Sequence, residues 1–405
     1  MITVVETLAP ARLGRSFRWL LSSSWTTNLG DGVAGAAGPL LVASLTRDPF
    51  LIALAALARW APPLIFGLWS GVVSDRLDRR RIVLAADGFR AFLLAGLTLL
   101  LVTGTASVAT ALVTLTLLTI AEVFADNASA TLVPTLVGRD DLVLANARMQ
   151  TGFLTLNQLA GPPIGAALFA AGRAWPFVTE TVLVAAGVLL IARITLPAVQ
   201  SPADRPGSAW RDIAEGFRWV VRHPAVRTLV LTILIFNVTF GAAWSVLVLY
   251  ASERLGLGAI GFGLLATVSA VGGLIGTGLY GRLTRRVSLG NVMRAGLIIE
   301  TLTHLALAVT TTAWVAMVIF LIFGAHAFVW GTTSVAVRQR AVPLHLQGRV
   351  GSVNTIGVYG GLVIGSAVGG ALAGHFGVTA PFWFAFAGSA IFVAALWRQL
   401  TDIAH

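Results

Sequence analysis

Apolar residues run along this chain in long blocks, separated by short polar segments in which arginine recurs. The blocks lie near 19–43, 51–73, 82–104, 108–130, 149–171 and 175–196, and again near 226–250, 258–280, 289–311, 313–335, 351–374 and 379–399. A helix needs roughly 20 apolar residues to cross the hydrocarbon of a bilayer, and these blocks supply them. They are far longer than the roughly 10-residue alternating strands of a membrane barrel. Lipid offers no hydrogen bonds, so the backbone must satisfy itself, which leaves helices. The pattern predicts an all-α integral membrane protein with twelve transmembrane helices in two six-helix halves.

The interval 197–225 breaks this rhythm. It opens with Ser201-Pro202 and Pro206-Gly207, which read as a linker. Then Trp210, Ile213, Phe217, Val220 and Val221 recur at helical spacing, with Arg211, Asp212, Glu215, Arg218 and Arg222 on the other face. That predicts an amphipathic helix on the inner membrane surface. The predicted domains are thus 1–196 for the N-terminal half, 197–225 for the cytoplasmic linker and 226–405 for the C-terminal half.

Charge sets the orientation. The formal net charge is +11, all 28 basic residues are Arg, and charged residues make up only 11%. With the N-terminus inside, the inner segments hold 23 Arg and the outer loops three, Arg47, Arg173 and Arg254. Such a bias orients a membrane protein and gives no sign of nucleic acid. Both termini are predicted to be cytoplasmic, in the plasma (inner) membrane. The first apolar run is too long for a signal-peptide core and reads as a retained helix. There are no Cys residues, which excludes disulfides, thiol catalysis and Cys-ligated metals. No metal cluster, nucleophile elbow or phosphate-binding loop occurs, so no cofactor is expected and the chain does not read as an enzyme.

The halves repeat weakly. Arg76-Leu77-Asp78-Arg79-Arg80 corresponds to Arg282-Leu283-Thr284-Arg285-Arg286. Pro134 with Gly138-Arg139 corresponds to Pro343 with Gly348-Arg349. Gly161-Pro162-Pro163-Ile164-Gly165 corresponds to Gly365-Ser366-Ala367-Val368-Gly369. Two related halves around a central site are the expected consequence.

Polar groups inside apolar spans are the candidate chemistry, because each costs roughly 3 kcal/mol if ionised in hydrocarbon. Asp31 sits midway along the first span. It reads either as a site for a proton or cationic group, as a fixed pair with Arg59 of the second span, or as a cap on a break at Gly30 and Gly32. Glu122 and Asp126 are four apart and share a face of the fourth span; two carboxylates that close do not both ionise cheaply. Glu122 is the better candidate for coupling and Asp126 for a gate, with a purely packing role for both as the alternative. Asp87 and Arg90 share a face of the third span. Glu300 and His304, one turn apart in the ninth, read as a proton relay or as a buried hydrogen-bonded pair. Asn28, Asn157, Asn237 and His326 are single polar groups that hold helices together or touch substrate. Trp25, Trp244 and Trp330 offer flat apolar surface to a substrate. Trp19, Trp175, Trp314 and Trp397 fit the interfacial belt. Gly361, Gly365 and Gly369 form a flat face for tight packing or sliding.

These residues resemble the major facilitator superfamily over essentially the whole chain. The stretch from Gly71 through Asp75, Arg76, Arg79 and Arg80 is similar to that family's signature loop, with Asp78 in place of a usual glycine. Gly161, Pro162 and Gly165 resemble the fifth-helix motif of its exporters. Gly30-Asp31, Asp87, Arg90, Glu122, Asp126-Asn127 and Leu132-Val133-Pro134 resemble the branch of enterobactin exporters and macrolide efflux proteins. The resemblance implies a monomer that works by alternating access on a small molecule, with protons as coupling ion. It implies that Asp75 faces the start of the eleventh helix near Val350–Ser352, and that Asp126 bridges to Arg79 or Arg80. Drug exporters of the superfamily place an arginine where this chain has Glu122, so the coupling differs or Arg59 or Arg90 fills that role. Export of a small amphipathic compound, a drug, antibiotic or siderophore, is the expected function. Uptake of a nutrient or siderophore, or a non-transporting sensor or scaffold, are the alternatives.

Overall fold

The computed structural model describes residues 10–196 and 209–402. The expected linker at Ser201-Pro202 and Pro206-Gly207, with Arg205, lies outside the described residues, as does the side chain of Trp210. Among the described residues there is helix and no strand.

The first six spans are α1 (Arg15–Leu45), α2 (Pro49–Arg76), α3 (Arg79–Val102), α4 (Val108–Leu136), a three-part α5 and α6 (Trp175–Ile191). The amphipathic helix is α7 (Ala209–Arg222). The last six spans are α8 (Pro224–Ser245), α9 (Ala259–Arg286), α10 (Leu289–Val309), α11 (Ala313–Ala341), α12 (Gln347–Phe376) and α13 (Ala380–Leu396). Eight of these are long and apolar enough to cross a membrane, and α6 and α13 are apolar helices of 17 residues. The other two spans are exceptions for identifiable reasons. Helix α1 is 31 residues long but diluted by serines, threonines, Asn28 and Asp31. Helix α5 is wound in three pieces, Leu142–Gly152, a π-helical Phe153–Ala160, and Gly161–Ala171. Pro162 and Pro163 lack the N–H that would continue the α pattern, and the π segment sits just before them.

The described helices pack as two units, residues 10–45 with 65–196 and residues 46–64 with 209–402. In the first, α1 packs on α5 and α6, and α3 on α4 and α6. In the second, α8 packs on α12 and α13, and α10 on α11 and α13, while α9 lies along α11. The packing pairs of the first unit therefore recur, span for span, in the second.

Glycine makes the tightest of these contacts possible. A Cβ on Gly32 would stand 2.4 Å from the Asn157 carbonyl oxygen, and one on Gly165 2.2 Å from that of Val33. Gly161 lies against the backbone of Gly32. The motif in α5 is thus where α1 and α5 meet backbone to backbone. In the second unit a Cβ on Gly361 would meet Leu234, one on Gly365 would stand 2.2 Å from the Val238 oxygen, and one on Gly369 2.2 Å from the Ala242 oxygen. The glycine row of α12 is a packing face against α8.

Helix α7 packs against α12. Its acidic residues face protein: Arg349, in the first turn of α12, donates to Asp212 at 2.9 Å and to Glu215 at 2.7 Å. Val220 is buried with Val226, Val342, Leu346, Val350 and Val353. Of the expected apolar face, Phe217 and Val221 remain exposed. A cation at a helix N-terminus is unfavourable to the helix dipole, and two carboxylates beside Arg349 offset it.

Candidate functional site

Three helices of the first unit bring charge to one buried point. Arg90 of α3 donates to Asp31 of α1 and, at 3.0 Å, to Asp87 one turn before it. Glu180 of α6 lies 3.7 Å from the same guanidinium. All four side chains are at most 8% exposed. Local sequence allows the convergence. Gly30, beside Asp31, has Glu180 Cγ 3.3 Å from where its Cβ would be. Ser23 of α1 donates to the Gly187 carbonyl at 2.9 Å, so α1 and α6 are held close. The field of Glu122, from α4, also bears on Arg90. One guanidinium thus faces several carboxylates.

The partner of Asp31 is therefore Arg90 and not Arg59. The Arg59 guanidinium lies 5.5 Å from the ring centre of its neighbour Trp60. The three-residue spacing of Asp87 and Arg90 does produce an ion pair, and Arg90 reaches Asp31 as well because α3 packs on α6, which packs on α1. Glu180 is a member of the cluster that the sequence pattern did not single out. Its signal is present all the same: a carboxylate alone within the apolar run of the sixth span.

Asp126 does not bridge to the signature loop. Arg79 donates to the Thr131 carbonyl at 3.1 Å and Arg80 to the carbonyls of Ile191 and Ala192. The Ile191 and Ala192 carbonyls end α6, where carbonyls lack i+4 partners, so Arg80 caps that end, while Arg79 is held by a carbonyl within α4. Asp126 instead opens on a cavity of about 520 Å³ shared with Asn28, Ser129, Asn146, Gln150 and Phe153. Asn28 also donates to the Ser24 carbonyl at 2.7 Å. Asp78, the departure from the signature, caps α3 by accepting from the N–H groups of Arg80 and Arg81. Asp75 and Arg76 are exposed at the end of α2, and Gly71 has open space around it.

The second unit has its own buried polar cluster. Glu300 meets His326 of α11 at 4.0 Å, not His304 on its own helix. His304 is fully buried and stands edge-on to Trp244, ring centres 5.9 Å apart. The reason is the close approach of α10 and α11: Gly296 leaves room for both Trp330 and His326. Phe323 and Phe240 complete the packing around Trp244. Trp244 and Trp330 thus lie in packed surroundings. So does Trp25, whose indole donates to the Arg148 carbonyl at 3.0 Å and fills the space over Gly152. Asn237 donates within its own helix to Ile233 at 2.7 Å, and buried Asn157 accepts from Gln158 at 3.0 Å.

Among the described residues, apolar helical spans in two sets and carboxylates gathered in buried clusters are the architecture of a multi-pass membrane transporter of the major facilitator fold. A family model described as transmembrane secretion effector matches residues 5–403, and the chain belongs to that family. It is 28% identical over 383 residues to the multidrug efflux pump Tap of Mycolicibacterium fortuitum, covering 90% of each chain. It is 26% identical over 374 residues to the enterobactin exporter EntS of Shigella boydii, covering 89% of this chain and 85% of the other. Among solved structures, a bacterial homologue of the iron transporter ferroportin in its inward-facing state matches with TM-score 0.78 at 16% identity, over 96% of this chain and 99% of that one. The nucleoside transporter NupG matches with TM-score 0.72 at 13% identity, over 97% of this chain and 100% of that one.

Proposed function

We propose that this protein is a proton-coupled exporter of small amphipathic organic molecules in a bacterial plasma membrane, with both termini cytoplasmic. The observation that carries the coupling is Arg90, one buried guanidinium that contacts Asp31, Asp87 and Glu180. A guanidinium offsets one negative charge, and further ionised carboxylates in low dielectric are costly. Protons are the ions best able to neutralise the remainder. Asp31 and Glu122 are the carboxylates we assign to proton exchange, with Arg90 holding Asp31 in place. Export, rather than uptake, is supported by the glycine–proline motif of α5 and by the names of the two relatives. The polar cavity at Asp126 and Asn28 is the assigned substrate contact of the first unit.

The test is substrate-driven proton movement in proteoliposomes, read with a trapped pH dye against a panel of antibiotics, siderophores and lipophilic cations. Wild type should release protons with at least one compound. Asp31→Asn or Glu122→Gln should abolish that release while the compound still binds. Labelled compound crossing without any proton movement would sink the antiport reading.

A further inference from the structure

The cluster of α10 and α11 differs from that around Arg90 in having no fixed cation among the described residues. Glu300, His304 and His326 are its titratable groups, and both ring nitrogens of each histidine are buried without a hydrogen-bond partner, as is the Trp330 indole nitrogen. Phe240 and Trp244 of α8 and Phe323 of α11 close it with apolar rings. The neighbouring helices hold their charges away from it. The basic residue of α8 is Arg227, in its first turn. Arg294 of α10 stands six residues before Glu300, about 9 Å along the helix, and donates to the Trp397 carbonyl with its guanidinium over the Trp397 ring. Arg338 and Arg340 end α11, twelve or more residues from His326, about 18 Å along the helix. Arg282, Arg285 and Arg286 lie at the end of α9, and α13 has no ionisable side chain.

An ionised Glu300 therefore has no built-in counter-charge, and neutral imidazole supplies none. We propose that Glu300 and His326 form a proton-binding site of the C-terminal half, with His304 as a second acceptor, independent of the Arg90 cluster. One proton from water binds at the Glu300 carboxyl or the His326 Nε2. No covalent bond of the protein breaks, and the net charge of the cluster goes from −1 to zero. Glu300 on α10 and His326 on α11 stand 4.0 Å apart, just beyond hydrogen-bond distance, so a proton on either one lets the pair close into a hydrogen bond that ties the two helices, and losing it frees them. The site itself stands on its geometry. Its use in transport rests on the reading of the chain as proton-coupled.

The experiment is infrared difference spectroscopy of the full chain in lipid nanodiscs, between acidic and alkaline buffer in H₂O and D₂O. Wild type should show a titrating, deuterium-sensitive carboxyl band that Glu300→Gln removes and Asp31→Asn retains. His326→Asn should move the midpoint of that band by tenfold or more in proton concentration. Melting temperature and elution volume check folding, and Glu300→Asp serves where the amide variant does not fold: the band must persist at a shifted frequency. A wild-type spectrum unchanged by either Glu300 substitution overturns the proposal. So does binding of tetraphenylphosphonium that needs Glu300 when no Glu300 band appears at any pH, since the site would then take an organic cation. A Glu300 band without substrate-driven proton movement leaves this site standing and removes the coupling. Proton movement without a Glu300 band does the reverse.

Discussion

The two units solve one physical problem in opposite ways. Both bury carboxylates within spans, where an ionised group is expensive. The first unit brings a guanidinium: Arg90 binds Asp31, Asp87 and Glu180 from three helices. The second brings aromatic rings and two neutral-capable imidazoles to Glu300, with its arginines held toward helix ends. A permanent cation fixes geometry at every pH. A cluster without one depends on a mobile charge. The comparison teaches that similar helix packing, α1 on α5 beside α8 on α12, hosts different electrostatics.

Substitution can break this contrast, and the largest effect should come from its keystone. Arg90→Gln leaves three carboxylates without their cation and should cost about 3–5 kcal/mol, seen as a steep drop in melting temperature in detergent. Glu300→Gln should cost under about 1 kcal/mol, because no fixed partner is stranded. Equal losses in the two variants would erase the distinction.

The packing symmetry is open to a matched pair. Gly165→Val and Gly365→Val each push a side chain into a backbone carbonyl 2.2 Å from the Cβ position, and each should lose about 1–3 kcal/mol by overpacking. Gly71→Ala, with nothing within 4 Å, should leave stability unchanged. A tolerated valine in one half alone would show that the halves are not packed alike.

Smaller effects sharpen the difference at the cytoplasmic loops. Asp78→Ala removes the cap of α3 and should cost about 1 kcal/mol, whereas Asp78→Gly, the residue usual in the signature, should cost a few tenths. In the second unit the cap is Ser288, which accepts from the Asn291 N–H, so Thr284→Gly at the position matching Asp78 should not uncap α10. Thermal melts of the three variants decide it. A small, salt-sensitive effect belongs to Asp212→Asn with Glu215→Gln. Their pairs with Arg349 are a third to nearly half exposed, so the loss should stay under about 1 kcal/mol and shrink in high salt.

Much of this is legible in the chain. The two halves of the repeat mark the glycine contacts of α5 and α12, since Gly at every fourth position makes one bare face whatever packs on it. The pair Asp87–Arg90 is legible because one helix sets its spacing. Arg59 is not, because two residues at similar depth on different helices need not face each other. Spacing pairs Glu300 with the wrong histidine for the same reason: His304 is a turn away on α10, while His326 comes from α11. Asp126 lacks its expected bridge because the Arg79 and Arg80 guanidinia are held by carbonyls of α4 and of the α6 end, a competition that sequence spacing does not reveal.

By itself, then, the sequence determined the features that obey local rules: apolar length fixes the spans, arginine bias fixes the expected orientation, and spacing within one helix fixes which residues share a face. The tertiary structure alone decided which helix faces which. It placed Glu180 beside Arg90, Arg349 beside Asp212 and Glu215, and His326 beside Glu300. Those meetings depend on the rotation and depth of separate helices, which packing sets and hydropathy does not encode.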